Sequence, residues 1–142
     1  MQHVRASGMA IPHVQKSNDV SFVFVSTIAV QMANFIPMKR EYGAMKVALN
    51  AYASQLAHRL AKDGVRSNIV SPGPIYFEGG FRDQVKQGSP ELYKRASRLS
   101  ALQRHGTAEE VANPTVFLAS PAASYITGTN LRQEGGALTQ IN

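Results

Sequence analysis

The chain has 142 residues, of which 44% are hydrophobic, so it is long and apolar enough to form a domain with a core and is not disordered. It contains no cysteine, which excludes disulfides and thiolate chemistry, and no apolar stretch approaches the length of a membrane span, so we expect no membrane partner. The net charge is +6, but the lysines and arginines are scattered and not interleaved with aromatic residues, so we expect no specific nucleic-acid partner.

The N-terminal part of the chain has a weak helical pattern, followed by a strong strand pattern. Residues 1–19 are predicted to be the remnant of a helix that breaks near Pro12, followed by a turn. Residues 21–25 form a continuous apolar run, as in strands that are buried on both faces of a parallel sheet. Two hydroxyl residues, Ser26 and Thr27, end this strand, and a loop is predicted to follow.

A long helix is predicted over residues 41–62. Apolar residues recur in it at three- and four-residue spacing, and several alanines add helix propensity. The apolar stripe consists of Met45, Leu49, Tyr52, Leu56 and Leu60. Gly64 suits a left-handed C-terminal cap, and residues 65–70 are predicted to form the next strand, which Pro72 and Pro74 terminate.

The C-terminal part alternates polar segments, helices and a last strand. Residues 75–89 are polar and contain several glycines, and a short amphipathic helix is predicted over residues 90–102. The apolar side of that helix would carry Leu92, Ala96 and Leu99. Thr107 and Glu110 have the spacing of a capping box at the start of another helix, and residues 129–133 are predicted to form a strand. This alternation of strands and helices predicts an α/β fold with a parallel sheet.

The spacing of Tyr42 and Lys46 is the strongest chemical signal in the chain. Residues i and i+4 lie on one face of a helix, one turn apart. A free phenol has a pKa of about 10, and a neighbouring ammonium group stabilises its phenolate form, so the pair can donate and accept a proton near neutral pH. A surface tyrosine that stacks along a lysine stem is the alternative interpretation.

Further motifs surround this pair in a fixed order. They are the strand that ends in Ser26-Thr27, then Arg66-Ser67-Asn68-Ile69-Val70-Ser71-Pro72-Gly73-Pro74-Ile75, Glu109-Glu110-Val111-Ala112, Phe117-Leu118-Ala119-Ser120, Ile126-Thr127-Gly128 and Glu134-Gly135-Gly136. In this order the set resembles the C-terminal half of the short-chain dehydrogenases/reductases, over residues 21–136. The resemblance implies an NAD(P)-dependent oxidoreductase that transfers a hydride between a nicotinamide cofactor and a carbonyl or secondary alcohol.

The resemblance also implies a single partial domain over residues 1–142, the C-terminal half of a doubly wound parallel-sheet fold of the Rossmann type. The chain contains no glycine-rich phosphate-binding turn, so the N-terminal nucleotide-binding half is expected to be missing. The catalytic asparagine of the family has no counterpart either. A second hypothesis is therefore that the chain is not an active enzyme but a truncated, inactive remnant that acts only as a helix-mediated association module.

Roles for the site residues follow from the same resemblance. Tyr42 would be the general acid in reduction and the base in oxidation, and Lys46 would support it and hydrogen-bond the nicotinamide ribose. A hydroxyl at the end of the strand would hold the substrate oxygen. The family has a serine at this point; lining up the strand favours Thr27, and Ser26 remains the alternative.

The turn after the second predicted strand resembles the loop that holds the nicotinamide carboxamide. Pro72, Gly73 and Ile75 would make these cofactor contacts, and the cofactor would be NAD or NADP, which the sequence does not distinguish. The family often has a threonine where Phe77 stands, which puts one of its hydrogen bonds in doubt. A rigid turn without a binding role is the alternative for Pro-Gly-Pro.

Partners and location are expected from the same family. Its helix corresponding to residues 41–62 packs against a second copy, so we expect a homodimer or tetramer. Residues 76–104 would form a lobe that covers a small-molecule carbonyl or alcohol substrate. His13, His58 and His105 have no partners at metal-binding spacing, so we interpret them as surface residues and expect no metal site. No signal peptide is recognised, and a cytoplasmic location is expected.

Overall fold

The fold is known from a computed structural model, which describes residues 2–17, 20–32 and 40–139. Its main elements are α1 (Gln2–Val14), β1 (Val20–Val25), α2 (Arg40–Leu60), β2 (Val65–Pro72), α3 (Phe81–Gly88), α4 (Pro90–Ser97), α5 (Ala108–Ala119) and β3 (Asn130–Gln133). Short 3-10 turns occur at Ile28–Gln31, Ala61–Asp63 and Pro121–Ala123. Within the described ranges, no helix is long and apolar enough to cross a bilayer.

Three parallel strands form the sheet in the order β1-β2-β3, with β2 in the centre and β1 on the outside. Val20 lies opposite Val65 and Val25 opposite Val70, while Ile69 of β2 lies opposite Asn130 of β3. The predicted α/β fold with a parallel sheet is therefore confirmed. Because parallel strands point the same way, the carboxyl ends of β1 and β2 lie at one edge of the sheet, next to the start of α2.

Helix α2 packs its apolar side against the sheet. Leu49, Leu56 and Leu60 are buried in one core cluster with Phe24 and Ile69. The α-helix ends at Leu60, slightly before the predicted residue 62, and a 3-10 turn continues the chain. Gly64 follows with φ of 72°, the left-handed conformation that its sequence position predicted.

Met45 departs from the predicted apolar stripe, because its side chain is 54% exposed. It lies in the first turns of α2, where described residues cover less of the helix than they do near Leu56. The last four of the five stripe residues therefore belong to the core or pack against it, and no described residue buries Met45.

Helix α1 runs without interruption from Gln2 to Val14, so the predicted break near Pro12 is wrong. Proline removes one hydrogen-bond donor from a helix, but here the helix has only two more residues beyond it. The hydroxyl oxygens of Ser7 and Tyr52 lie 2.7 Å apart and join α1 to α2. Residues 18–19 of the predicted turn lie outside the described residues.

The segment after β2 differs from its prediction in two places. No helix was predicted within residues 75–89, but Phe81–Gly88 form α3. Helix α4 ends at Ser97 rather than near residue 102. Of its predicted apolar side only Ala96 is buried, whereas Leu92 and Leu99 are 57% and 40% exposed.

Helix α5 begins as the sequence predicted. The Thr107 hydroxyl accepts a hydrogen bond from the Glu110 backbone N–H at 3.2 Å, and the Glu110 carboxylate accepts one from the Thr107 N–H at 2.9 Å. This capping box satisfies two donors that the first helical turn leaves unpaired. The buried Arg66 of β2 donates to the Leu118 carbonyl oxygen at 2.7 Å and thereby fixes the end of α5 to the sheet.

Candidate active site

Tyr42 and Lys46 lie together in the first turns of α2, beside the end of β1. The Lys46 Nζ atom is 5.8 Å from the centroid of the Tyr42 ring, within the range of a favourable interaction between a cation and an aromatic ring. It also donates a hydrogen bond of 2.7 Å to the Val25 carbonyl oxygen, the last residue of β1. Tyr42 is 47% exposed. Lys46 is partly buried, and this burial lowers the pKa of its ammonium group. The lysine thus joins α2 to the sheet with the tyrosine at the surface beside it.

The two hydroxyl residues after β1 have different surroundings. The Ser26 side chain is buried, and its Oγ atom has no hydrogen-bond partner among the described residues. The Thr27 side chain is half-buried, and its Oγ1 atom accepts a hydrogen bond of 3.2 Å from the Ala29 N–H. Thr27 thereby caps the 3-10 turn Ile28–Gln31, which occupies part of the predicted loop; residues 33–39 of that loop lie outside the described residues.

An open cavity of about 310 Å³, which we call cavity A, brings most of the predicted site residues together. It is lined by Ser26, Thr27, Tyr42, Pro72, Gly73, Ile75, Phe77, Phe81 and Arg82. The carboxyl ends of β1 and β2, the start of α2 and the start of α3 all contribute. Lys46 is the one predicted catalytic residue that does not line cavity A.

A second cavity of about 290 Å³, cavity B, lies between α1 and the first turns of α2. Its lining consists of Gln2, His3, Val4, Tyr42, Met45, Lys46, Ala48 and Leu49. Tyr42 therefore lines both cavities, whereas Lys46 lines cavity B and not cavity A.

The backbone N–H and C=O of Ile75 are the groups that would make its predicted contacts with the nicotinamide carboxamide. Gly106 bridges to the neighbours of Ile75: the Tyr76 N–H donates to the Gly106 carbonyl oxygen at 2.8 Å, and the Gly106 N–H donates to the Pro74 carbonyl oxygen at 3.0 Å. This parallel bridge leaves the N–H and C=O of Ile75 itself without a partner within residues 40–139. Both groups are therefore available to an amide at the rim of cavity A.

Gly73 has a structural reason for being glycine. A Cβ atom at this position would lie 2.8 Å from both the Cα and the Cβ of Glu134, at the end of β3. Its N–H donates to the Gln133 carbonyl oxygen at 2.9 Å, which extends the pairing of β2 with β3. The close approach of two backbones accounts for this glycine whether or not a cofactor contacts it.

Among the described residues that line cavity A, Arg82 is the one with a charged side chain, and sequence reasoning did not find it. It lies in the first turn of α3, which was not predicted as a helix. The Gly80 N–H donates to the Phe77 carbonyl oxygen at 3.1 Å, which closes a turn directly before α3. The sequence signal for Arg82 is recognisable only in retrospect: Phe81 and Arg82 follow Phe77 by four and five residues.

Sequence comparison assigns the chain to a family. A family model described as enoyl-(acyl carrier protein) reductase matches residues 3–137. An isoepoxydon dehydrogenase of Penicillium expansum is 35% identical over 127 residues, which are 89% of this chain and 49% of that protein. A peroxisomal 2,4-dienoyl-CoA reductase of Saccharomyces cerevisiae is 39% identical over 102 residues, which are 71% of this chain and 34% of that protein. The chain belongs to the short-chain dehydrogenase/reductase family.

Solved structures of short-chain dehydrogenases/reductases share the fold. The aldohexose dehydrogenase of Thermoplasma acidophilum superimposes with a TM-score of 0.83 at 30% identity, over 95% of this chain and 54% of that one. ElxO, determined with NADP bound, gives 0.80 at 31% identity, over 92% of this chain and 51% of that one. The expected Rossmann-type, doubly wound fold class is confirmed, and the chain spans about half the length of the relatives it matches.

One histidine of this short-chain dehydrogenase/reductase chain contradicts its prediction. His13 and His58 are exposed as expected, but His105 is only 9% exposed, so its interpretation as a surface residue is wrong. Its ring stacks on Tyr93 with centroids 4.2 Å apart, and its Nε2 atom has no hydrogen-bond partner in the described part of the chain. Burial, and to a smaller extent the charge of Arg82, lower the pKa of His105.

A third cavity, of about 190 Å³, lies at the ends of β2 and β3 away from Tyr42. Two of its charged lining residues pair with each other: Arg104 makes a bidentate ion pair with Glu110, with nitrogen–oxygen distances of 2.5 and 2.8 Å. The pKa of Glu110 falls to about 2, because Arg104 and the Thr107 N–H both bind its carboxylate. Among the residues described, no group of three or more histidines and carboxylates could hold a metal ion.

Proposed function

We propose that this chain supplies the catalytic half of an NAD(P)-dependent oxidoreductase that transfers a hydride between a nicotinamide cofactor and a carbonyl or secondary alcohol. Family membership supports an oxidoreductase. The observation that carries the proposal is the position of Tyr42: its exposed ring borders cavity A, and the Lys46 ammonium lies 5.8 Å from the ring centroid. A phenol next to a cation at an open cavity has the arrangement that proton transfer to a substrate oxygen needs.

In the direction of reduction, Tyr42 donates its hydroxyl proton to the carbonyl oxygen of the substrate. Bound NAD(P)H supplies the hydride that the carbonyl carbon receives. Lys46 stabilises the phenolate that remains, and its hydrogen bond to Val25 holds the ammonium at a fixed distance from the ring. In the direction of oxidation, the same phenolate accepts the proton of the alcohol.

Thr27 is the better candidate for the hydroxyl that holds the substrate oxygen. Its Oγ1 accepts a hydrogen bond from Ala29, so its own hydrogen has no acceptor among the described residues and remains available to a ligand. The Ser26 Oγ lines cavity A as well, but almost none of its surface is accessible. A substrate would have to displace neighbouring atoms to reach Ser26.

The residues after β2 fit a nicotinamide. The unpaired N–H and C=O of Ile75 match the acceptor and donor of a carboxamide, and Pro72 and Gly73 line the same cavity. These contacts to the nicotinamide do not distinguish NAD from NADP. The NADP bound to ElxO is a property of that protein. Residues 76–104 would form the lobe over a small-molecule substrate, with Phe77 and Phe81 as its apolar wall.

We further propose that the chain associates as a homodimer or tetramer through helix 41–62 and works in the cytoplasm. Val47 of α2 is 49% exposed, and the exposed alanines 44, 48 and 51 lie on the same side of the helix, so a second copy would cover a continuous apolar face. The competing proposal, an inactive remnant that only associates, rests on this same helix face and on the absence of a glycine-rich phosphate turn from the sequence.

The proposal is tested with Tyr42→Phe in an intact form of the enzyme that also binds the cofactor pyrophosphate; the substitution removes the phenolic hydroxyl and keeps the ring. We expect turnover of a carbonyl substrate to fall by at least about 10²-fold, because the proton donor is lost, while the circular dichroism spectrum stays unchanged. Retention of full turnover would remove Tyr42 from the mechanism.

Titration of the purified chain with NAD(H) and NADP(H) separates the enzyme from the remnant. We expect at most weak binding by this chain alone, because the sequence has no glycine-rich turn to hold the pyrophosphate. Saturable binding that depends on Ile75 would count against the remnant. Glu41→Gln, next to Tyr42 and exposed, is the control variant and should leave the titration unchanged.

A further inference from the structure

Arg82 brings a positive charge to cavity A. It lies in the first turn of α3 and lines the same cavity as Thr27 and Tyr42. Two aromatic side chains, Phe77 and Phe81, line the cavity with it. A ligand in cavity A therefore meets an apolar surface, a phenol and a guanidinium group.

No acidic side chain neutralises Arg82 within the described residues. Its neighbour Asp83 uses its two carboxylate oxygens elsewhere: on the Tyr76 hydroxyl at 3.1 Å, and on the Gly79 N–H at 3.1 Å and the Gln87 amide at 3.2 Å. The ion pairs of the described chain join Lys94 to Glu91 and Arg104 to Glu110. Arg82 thus has no carboxylate at ion-pair distance.

The surroundings of Arg82 do not favour its charge. Burial lowers the pKa of Arg82, which means that part of its hydration shell has been removed. The Tyr93 phenol acts in the opposite direction and raises the pKa of Arg82, but less than burial lowers it, and a tyrosine supplies no carboxylate as counter-ion. His105 is the other titratable neighbour, and the charge of Arg82 lowers its pKa. A partly desolvated guanidinium without a counter-ion is unfavourable, and an anionic ligand would relieve it.

We propose that Arg82 binds an acidic group of the substrate, so that the site prefers oxo acids and hydroxy acids with an apolar skeleton over neutral carbonyl compounds and alcohols. This inference rests on the proposed function for the identity of the reacting group. The planar guanidinium pairs with a carboxylate through two hydrogen bonds, which fixes the orientation of the acid. The skeleton packs on Phe77 and Phe81, and the oxygen to be protonated faces Tyr42 and Thr27.

A phosphate of the cofactor is the other anion that Arg82 would accept. The aromatic residues favour the substrate, because Phe77 and Phe81 offer apolar surface to carbon atoms and no hydrogen bonds to a phosphate ester. The experiment therefore includes a probe for each source of negative charge.

The test measures binding of two matched ligands to the full chain by NMR titration. Phenylglyoxylate carries a carboxylate, and phenylglyoxylamide replaces it with a neutral carboxamide of similar shape. We expect the acid to bind about tenfold more tightly than the amide. Arg82→Leu should reduce this preference to less than about twofold, and Arg82→Lys should keep part of it, because an ammonium group retains the charge but not the paired geometry.

Arg98→Leu is the matched control, since Arg98 is exposed at the end of α4 and does not line cavity A. It should keep the full preference. Nicotinamide mononucleotide and nicotinamide riboside form the second pair; a phosphate preference that Arg82→Leu abolishes, with the acid preference intact, assigns Arg82 to the cofactor and overturns the proposal. Equal affinity for acid and amide, or no binding of the acid, overturns it too.

The result is separable from the proposed function. Tyr42→Phe should leave the preference for the acid unchanged, because the phenol does not bind the carboxylate. If turnover proves independent of Tyr42 while the acid preference requires Arg82, the hydride-transfer proposal fails and the anion site stands. If Tyr42 is essential and Arg82→Leu changes nothing, the reverse holds.

Discussion

Two adjacent side chains at the end of β1 differ in what a ligand can reach. Thr27 is half-buried and has an unused hydroxyl hydrogen, whereas Ser26 is buried with an unpaired oxygen. Both residues line cavity A, so the difference between them lies in burial and hydrogen bonding. The sequence favoured Thr27 and kept Ser26 as the alternative, because either one places a hydroxyl at the end of the strand.

This difference predicts the effect of removing each hydroxyl. Thr27→Ala should lower turnover by about 10²-fold, because the substrate oxygen loses a hydrogen bond in the transition state. Thr27→Ser keeps the hydroxyl and should retain most activity, and Ser26→Ala should change turnover by less than about tenfold. Steady-state kinetics of the three variants measures these effects. A larger loss in Ser26→Ala than in Thr27→Ala would reverse the assignment.

His105 gives the stability of the fold a dependence on pH. Burial first, and the charge of Arg82 second, lower its pKa below the ordinary value of 6.5, so the folded chain prefers the neutral imidazole. Below about pH 6.5 the unfolded chain binds a proton that the folded chain does not. Stability should therefore fall as the pH decreases from about 6.5 toward the lowered pKa of the folded state.

The measurement is the free energy of unfolding in urea at several pH values between about 5 and 7.5. His105→Phe preserves the stack on Tyr93 without the titrating group, so its stability should decrease less than that of the wild type over this range. His13→Gln, at an exposed position, is the control. Glu110 acts at lower pH, because its contribution is lost only as the pH falls from 4.5 toward about 2. Parallel pH profiles for wild type and His105→Phe would refute the prediction.

At the scale of elements, the start of α5 is held by side chains that lie three residues apart. Thr107→Ala removes the cap and should lower the free energy of unfolding by about 1 kcal/mol, because the Glu110 N–H loses its acceptor. Thr107→Ser should restore most of it. Chemical denaturation of the three proteins provides the measurement, and identical midpoints for wild type and Thr107→Ala would show that the cap contributes nothing.

Elements defined by local chemistry could be predicted from the sequence. The capping box of Thr107 and the glycine after α2 depend only on neighbouring residues. The same is true of strands that coincide with apolar runs in the sequence. Helix α3 could not be predicted in the same way, because it has low hydrophobicity and stands among glycines. Arg82 was missed for that reason. His105 was wrongly predicted to be a surface residue, because its burial depends on stacking with Tyr93 of α4, which is distant in sequence.

For the whole molecule, the outward side of α2 near its N-terminal end is an apolar surface that no other described element covers. Val47→Glu with Ala51→Glu should shift a dimer toward monomers, because two carboxylates on one helix face would be buried at the contact of two copies. Leu92→Glu is a control of similar exposure on α4 and should leave the assembly unchanged. Analytical ultracentrifugation measures the mass. An unaltered mass for the double variant would exclude this face as the contact.

The place of β1 on the outside of the described sheet has a practical consequence. Along its outer side, backbone amide and carbonyl groups of an apolar strand have no neighbouring strand within the described residues. Such an edge readily pairs with extended segments of other molecules. We therefore expect expression yield and solubility of the isolated polypeptide to improve when a flanking segment shields that side.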